Sequence, residues 1–272
     1  MSLKSKIKNW DISSNKDLDH VIEMMLSNIG STDSELRDSI IYNKFGTLIT
    51  TDSLNRSTME HILNVCLENL FYNIEEPESD SVFTRSFSAL VIALILQKDR
   101  KNLLLSDDLL NKAFECSIHY LELEKDIRGF VKDKGWAHSI AHGADLLTEA
   151  VKHPKFDQDL HFDCLNVVKL CLLNKGNTMN APYIDDEEER LIFVLEALTD
   201  NGVSDDEIIK LIYNISDELN DLLSDEDYSL NFFYKRSIIL KFFHTYFFRL
   251  SFNEDCKNIR KTIYHVLKKW HH

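Results

Sequence analysis

A chain of 272 residues with 44% apolar and 28% charged side chains has enough material for a single large core. Its formal charge of -14 repels phosphate backbones and excludes nucleic acid as a main partner. No apolar run approaches the ~20 residues of a membrane span, and the N-terminus lacks the apolar core of a signal peptide.

Seven glycines and three prolines are few for this length, which favours an all-α chain with short connections. Apolar periodicity predicts about eleven helices, over 16–29, 33–49, 58–73, 81–98, 107–125, 134–151, 158–174, 185–200, 205–223, 229–251 and 254–270. Nothing reads as a strand. Ser57-Thr-Met-Glu60 and Ser204-Asp-Asp-Glu207 have the spacing of capping boxes. Gly30, Gly176 and Gly202 fall where helices should stop, and Pro77, Pro154 and Pro182 lie between periodic segments. The aromatic stretch from Phe232 to Phe248 covers too much of a helix circumference for a surface element and reads as a buried helix.

Alternate helices share an opening. Arg37, Arg85, His138, Arg190 and Arg236 each lead an apolar run, at steps of roughly 50 residues. Such a period with two helices per unit predicts an α-α superhelix, a HEAT- or armadillo-like solenoid forming one domain over 1–272. Every second helix then lines the same surface, and the leading residues form one rim or groove. The plainer reading of the arginines is that they are exposed first turns, neutralised by acids such as Asp38, Glu187 or Glu188.

The most informative stretch is Gly135-Trp-Ala-His138-Ser-Ile-Ala-His142-Gly-Ala-Asp145, continuing to Glu149. On a helix, His138, His142, Asp145 and Glu149 share one stripe, with Trp136, Ile140, Leu147 and Val151 opposite. Two imidazoles one turn apart with an acid beyond are a candidate site for a divalent transition metal such as Zn, Fe or Mn, with His138, His142 and Asp145 as ligands. Glu149 or Glu188 is then the candidate proton-transfer partner. The plainer alternative is a helix whose Ala and Gly face packs closely while His and Asp make structural hydrogen bonds. Before it, residues 126–135 carry Arg128, Lys132 and Lys134 with two glycines, a candidate anion-binding loop, although Asp126 and Asp133 can neutralise those cations.

Five scattered cysteines without a CxxC pair suggest reduced thiols and a cytoplasmic protein. The segments Glu35-Leu-Arg-Asp38, Phe83-Thr-Arg-Ser-Phe-Ser-Ala89, Arg128-Gly-Phe-Val131 and the central Gly135–Leu147 motif resemble an uncharacterised bacterial family, a domain of unknown function with a Trp-Ala-His…His…Ala-Asp signature. The resemblance covers most of the chain and implies a bacterial cytoplasmic protein, with no activity, cofactor or catalytic residue to transfer. Three functions fit the residues. One is a scaffold binding a protein or peptide on its concave face through Arg37, Arg85, Arg128, Arg190 and Arg236. The others are a metal-dependent enzyme using the histidine stripe and a small-anion sensor using Arg128.

Overall fold

A computed structural model describes residues 2–11, 17–173, 181–252 and 256–271. The protein is all-α: 74% of it is helical, and among the described residues the only strands are one pair of two residues each. The helices are α1 (Leu3–Asn9), α2 (Leu18–Leu26), α3 (Asn43–Thr50), α4 (Arg56–Asn69), α5 (Ser81–Asn102) and α6 (Asp107–Leu123). They continue with α7 (Ser139–Val151), α8 (His161–Leu173), α9 (Glu187–Asp200), α10 (Asp205–Glu226), α11 (Leu230–Leu250) and α12 (Lys257–His271). A π-helical segment, Glu35–Tyr42, runs directly into α3.

The helices expected from periodicity are present, with instructive differences at their ends. The short α1 was not expected. Its seven residues hold one buried side chain, Ile7, too little for a periodic signal. The helix expected to start at 134 begins at Ser139, because 130–136 fold back as the antiparallel pair β1 (Phe130–Val131) and β2 (Gly135–Trp136). The expected cap at Ser57 is displaced to Asn55, whose side chain accepts from the Thr58 amide at 2.9 Å, while Glu60 turns to Arg56. The box at Ser204 and Glu207 forms as read. After α9, Gly202 donates to the Thr199 carbonyl at 3.1 Å and Val203 to that of Leu198 at 3.0 Å, the paired bonds of a Schellman stop. Gly176 lies outside the described residues.

Packing follows a simple rule: alternate helices are neighbours. One row runs α3, α5, α7, α9, α11, and the other runs α2, α4, α6, α8, α10, α12, with α4 touching α5, α6 touching α7, α8 touching α9 and α10 touching α11 across the two layers. The core lies between the rows and is continuous from Ile7 to Val266. At its centre, α5 carries an apolar window long enough to cross a membrane, yet 72% of it is buried against the other helices, the pattern of a core helix. The aromatic stretch of α11 is buried on one side only. Phe232, Phe242, Phe243 and Tyr246 face inward, whereas Phe233 and Phe248 are exposed, correcting the expectation of burial all round. All five cysteines are free thiols.

Two buried cations hold the rows to the connections between them. Arg85 is fully buried and forks Glu124 at 2.7 and 2.8 Å. Its remaining nitrogen donates to the Tyr72 and Asn73 carbonyls and to Ser81 Oγ. The end of α6 and the turn after α4 are thereby tied to the start of α5. Because breaking such a pair strands a charge without solvent, Arg85→Met or Glu124→Gln alone should cost about 3–5 kcal/mol. Urea unfolding of both single variants and the double Arg85→Met/Glu124→Leu should show a double loss smaller than the sum. Single losses below about 1 kcal/mol would mean that the pair does not hold this corner.

Candidate functional site

The site is assembled at the entry to α7. Asp133 and Gly135 take positive φ angles of 64° and 83° and turn the hairpin, and the Ala137 amide closes it on the Gly129 carbonyl at 2.8 Å. Arg37 reaches this hairpin from the π-helical segment, donating to the Lys134 carbonyl at 2.9 Å and the Trp136 carbonyl at 3.4 Å. Its guanidinium lies between the rings of Phe83 and Phe87, at 4.3 and 4.6 Å, and pairs with Asp38. Gly129 has no room for a side chain, because Asp185 and Glu187 occupy the place of its Cβ. The acidic run before α9 is therefore partly internal: Asp185 accepts from the Phe130 amide at 2.8 Å, and Glu187 is buried.

His138 stands outside the helix as its N-terminal flank, in the left-handed region with φ 46°. Its ring stacks on Trp136 at 4.3 Å, and Nδ1 lies 3.1 Å from Glu187 Oε1. His142 lies one turn into α7, edge-on to Phe87 at 5.4 Å. Its Nδ1 is sealed from solvent without a hydrogen-bond partner. Burial pushes its imidazole down to about 3, helped by the positive neighbours His138, Arg190 and Arg37. Asp145 meets Arg190 of α9 at 3.1 Å, and burial raises its carboxyl against the opposing pull of that arginine. Glu149 meets Arg100 at 3.3 Å and Lys152 at 3.4 Å.

The His138 and His142 rings remain neighbours, with centroids 5.7 Å apart. Among the described residues no group of three His, Cys, Asp or Glu side chains is gathered for a metal ion, and His138, His142 and Asp145 each turn to a different neighbour. Glu188 turns away to Lys241 of α11 at 2.7 Å, and burial raises its carboxyl. Trp136, expected on the core side, belongs to the hairpin and is 41% exposed. The small face of α7 lies against α6, where Gly143 meets Tyr120 and Leu121.

The arginines separate in the same way. Arg37 and Arg85 are wholly internal. Arg128 forks Asp126 and donates to the Ser79 carbonyl at 2.8 Å, and Lys134 pairs with Asp80, so two of the three loop cations have protein partners. Arg236 holds the Trp270 carbonyl at 2.7 Å. Arg190 lines an open cavity.

That cavity is a groove of about 470 Å³ crossing α5, α7 and α9. Asp145, Thr148 and Glu149 of α7 face Arg190, Glu196 and Asp200 of α9 across it. Thr148 is nine-tenths buried, and its hydroxyl has no partner. A second hollow of about 230 Å³ shares Glu196 and Asp200 and continues to Tyr246 and Arg249 of α11. Arg249 forks Glu196 at 2.8 and 2.7 Å and lies 4.6 Å over Phe193. Tyr42, Thr148, Glu196 and Asp200 were not singled out in the sequence. A signal existed: Asp145 and Glu149 are spaced as Glu196 and Asp200 are, four residues apart in each case.

The buried imidazole sets an acid sensitivity. An unfolded chain takes up a proton at His142 near 6.5, whereas the folded chain does so only at about 3. Between these values the unfolded state binds more protons, so this group lowers stability as pH falls from 6.5 towards 3. Nuclear magnetic resonance of the His142 ring should show no titration between pH 8 and 4.5, and His142→Phe should flatten the acid limb of a urea-midpoint profile. A folded-state transition near 6.5 for this ring would contradict its burial.

No curated protein and no solved structure matches the chain. A family model does match, over residues 70–248, from the end of α4 to the last turn of α11. This span holds the hairpin, α7 and nearly all of the groove. The chain belongs to the family described as Protein of unknown function (DUF2785).

Proposed function

We propose that the chain is a binding module, an α-α superhelix of the HEAT or armadillo kind, whose inner row takes an extended peptide segment of a partner protein. The observation that carries this reading is the groove across α5, α7 and α9, joined at Glu196 and Asp200 to the hollow that leads to α11. A track over three consecutive helices of one row suits an extended chain better than a compact metabolite. Its walls favour a peptide with a cationic side chain. Asp200 offers a carboxylate that is exposed without an ion-pair partner among the described residues, opposite Asp145 and Glu149, which hold Arg190, Arg100 and Lys152. Phe193, Leu94 and Ala93 supply the apolar floor for its aliphatic stem. A cytoplasmic setting fits the five free thiols.

A displayed library of unstructured peptides, panned against the intact chain, tests this reading. Peptides carrying Lys or Arg should be enriched. A double substitution in the groove wall, Gln97→Trp with Asp200→Arg, changes exposed positions only and should weaken a selected peptide by about tenfold or more, read as Kd by fluorescence anisotropy. Absence of enrichment, or equal affinity for both proteins, would reject the groove as the binding face.

A further inference from the structure

The last helix bears no acidic residue and ends on an anchored turn. Arg236 of α11 holds the Trp270 carbonyl at 2.7 Å, and the Trp270 indole donates to Ser216 Oγ of α10 at 3.3 Å. Those bonds fix the position of the next residue, His271. Its Nε2 lies 3.2 Å from Nε2 of His244 on α11, with ring centroids 5.3 Å apart. Both rings are exposed, so a solute reaches them without any opening of the fold.

Two imidazoles that turn the same nitrogen towards each other leave few explanations. One is a single N–H···N hydrogen bond, which requires one neutral ring to donate. The other is a shared cation. A tetrahedral ion with metal–nitrogen bonds of 2.0–2.1 Å holds two such nitrogens roughly 3.3 Å apart, with ring centroids roughly 5.2 Å apart. The observed separations fall within about 0.2 Å of both values, so the ion needs no rearrangement of either helix. Lys241, one turn before His244, is offset by Glu188 and Asp186.

We infer that His244 and His271 form a surface site for one borderline divalent cation of the zinc class, bridging α11 and α12 and completed by water. Imidazole donors favour Zn2+, Cu2+ and Ni2+ over the hard cations Mg2+ and Ca2+. Bridging links α12 to α11 beside the Trp270 anchor. This site is separate from the groove and independent of the peptide reading.

Isothermal titration of the full chain with Zn2+ alone, after chelator treatment, is the test. One ion per chain should bind, with His244→Ala and His271→Ala each weakening it by at least about tenfold. His265→Ala, an exposed histidine of α12 outside the pair, should leave binding unchanged. Co2+ should give a visible ligand-field band that either substitution abolishes. Saturating Zn2+ should raise the melting temperature of the wild type and of His265→Ala only. Binding that survives His244→Ala, or no saturation at millimolar Zn2+, would overturn the site and leave the pair as a hydrogen bond.

Discussion

The buried guanidinium of Arg37 is the constraint on which the site depends. It arises in the π-helical segment, where the wider turn accompanies its reach across to the hairpin almost a hundred residues on. Its donors go to the Ser31, Lys134 and Trp136 carbonyls, and its faces to Phe83 and Phe87. One side chain therefore joins three separate stretches of backbone. A cation taken so far from water is tolerated because its hydrogen bonds, aromatic faces and Asp38 replace hydration. From that junction follow the entry angle of α7, the left-handed His138 and the alignment of Asp145 with Arg190.

Much of the architecture was legible in the sequence because it rests on local periodicity. Apolar residues recurring each turn gave the helices, and the step of about 50 residues between Arg37, Arg85, His138, Arg190 and Arg236 set them on alternate helices, which are neighbours in one row. What was not legible depends on contacts distant in sequence. Residues 130–136 fold back where Arg37 donates to the Lys134 and Trp136 carbonyls, a contact almost a hundred residues distant, and neither strand is long enough to alternate. Asn55 outcompetes Ser57 as a cap by a two-residue difference that local propensity does not resolve.

The site was legible in part, and for a comparable reason. His138, His142, Asp145 and Glu149 do lie along α7, from its N-terminal flank to its last turn, but a shared helical stripe does not imply a shared ligand. His138 leaves the helix, His142 is covered by Phe87, and Asp145 is drawn to Arg190. The arginines misled in the opposite sense. A charged residue at the head of an apolar run signals an exposed turn as readily as an internal anchor, and Arg37 and Arg85 prove to be anchors. The matching four-residue spacing of Asp145 with Glu149 and of Glu196 with Asp200 marks the groove more directly than any single motif.

The burial of α5 has a consequence for the order in which the chain is made. Its apolar window is covered chiefly by α4 before it and α7 after it, and α7 ends about fifty residues later. At a synthesis rate of roughly 5–20 residues per second, the nascent helix waits several seconds for that cover. During this interval it presents to the cell a segment with the length and hydropathy of a membrane anchor. The ribosome-borne chain is thus a different physical object from the finished one, and its passage past the membrane-insertion and chaperone machinery is decided before the groove exists.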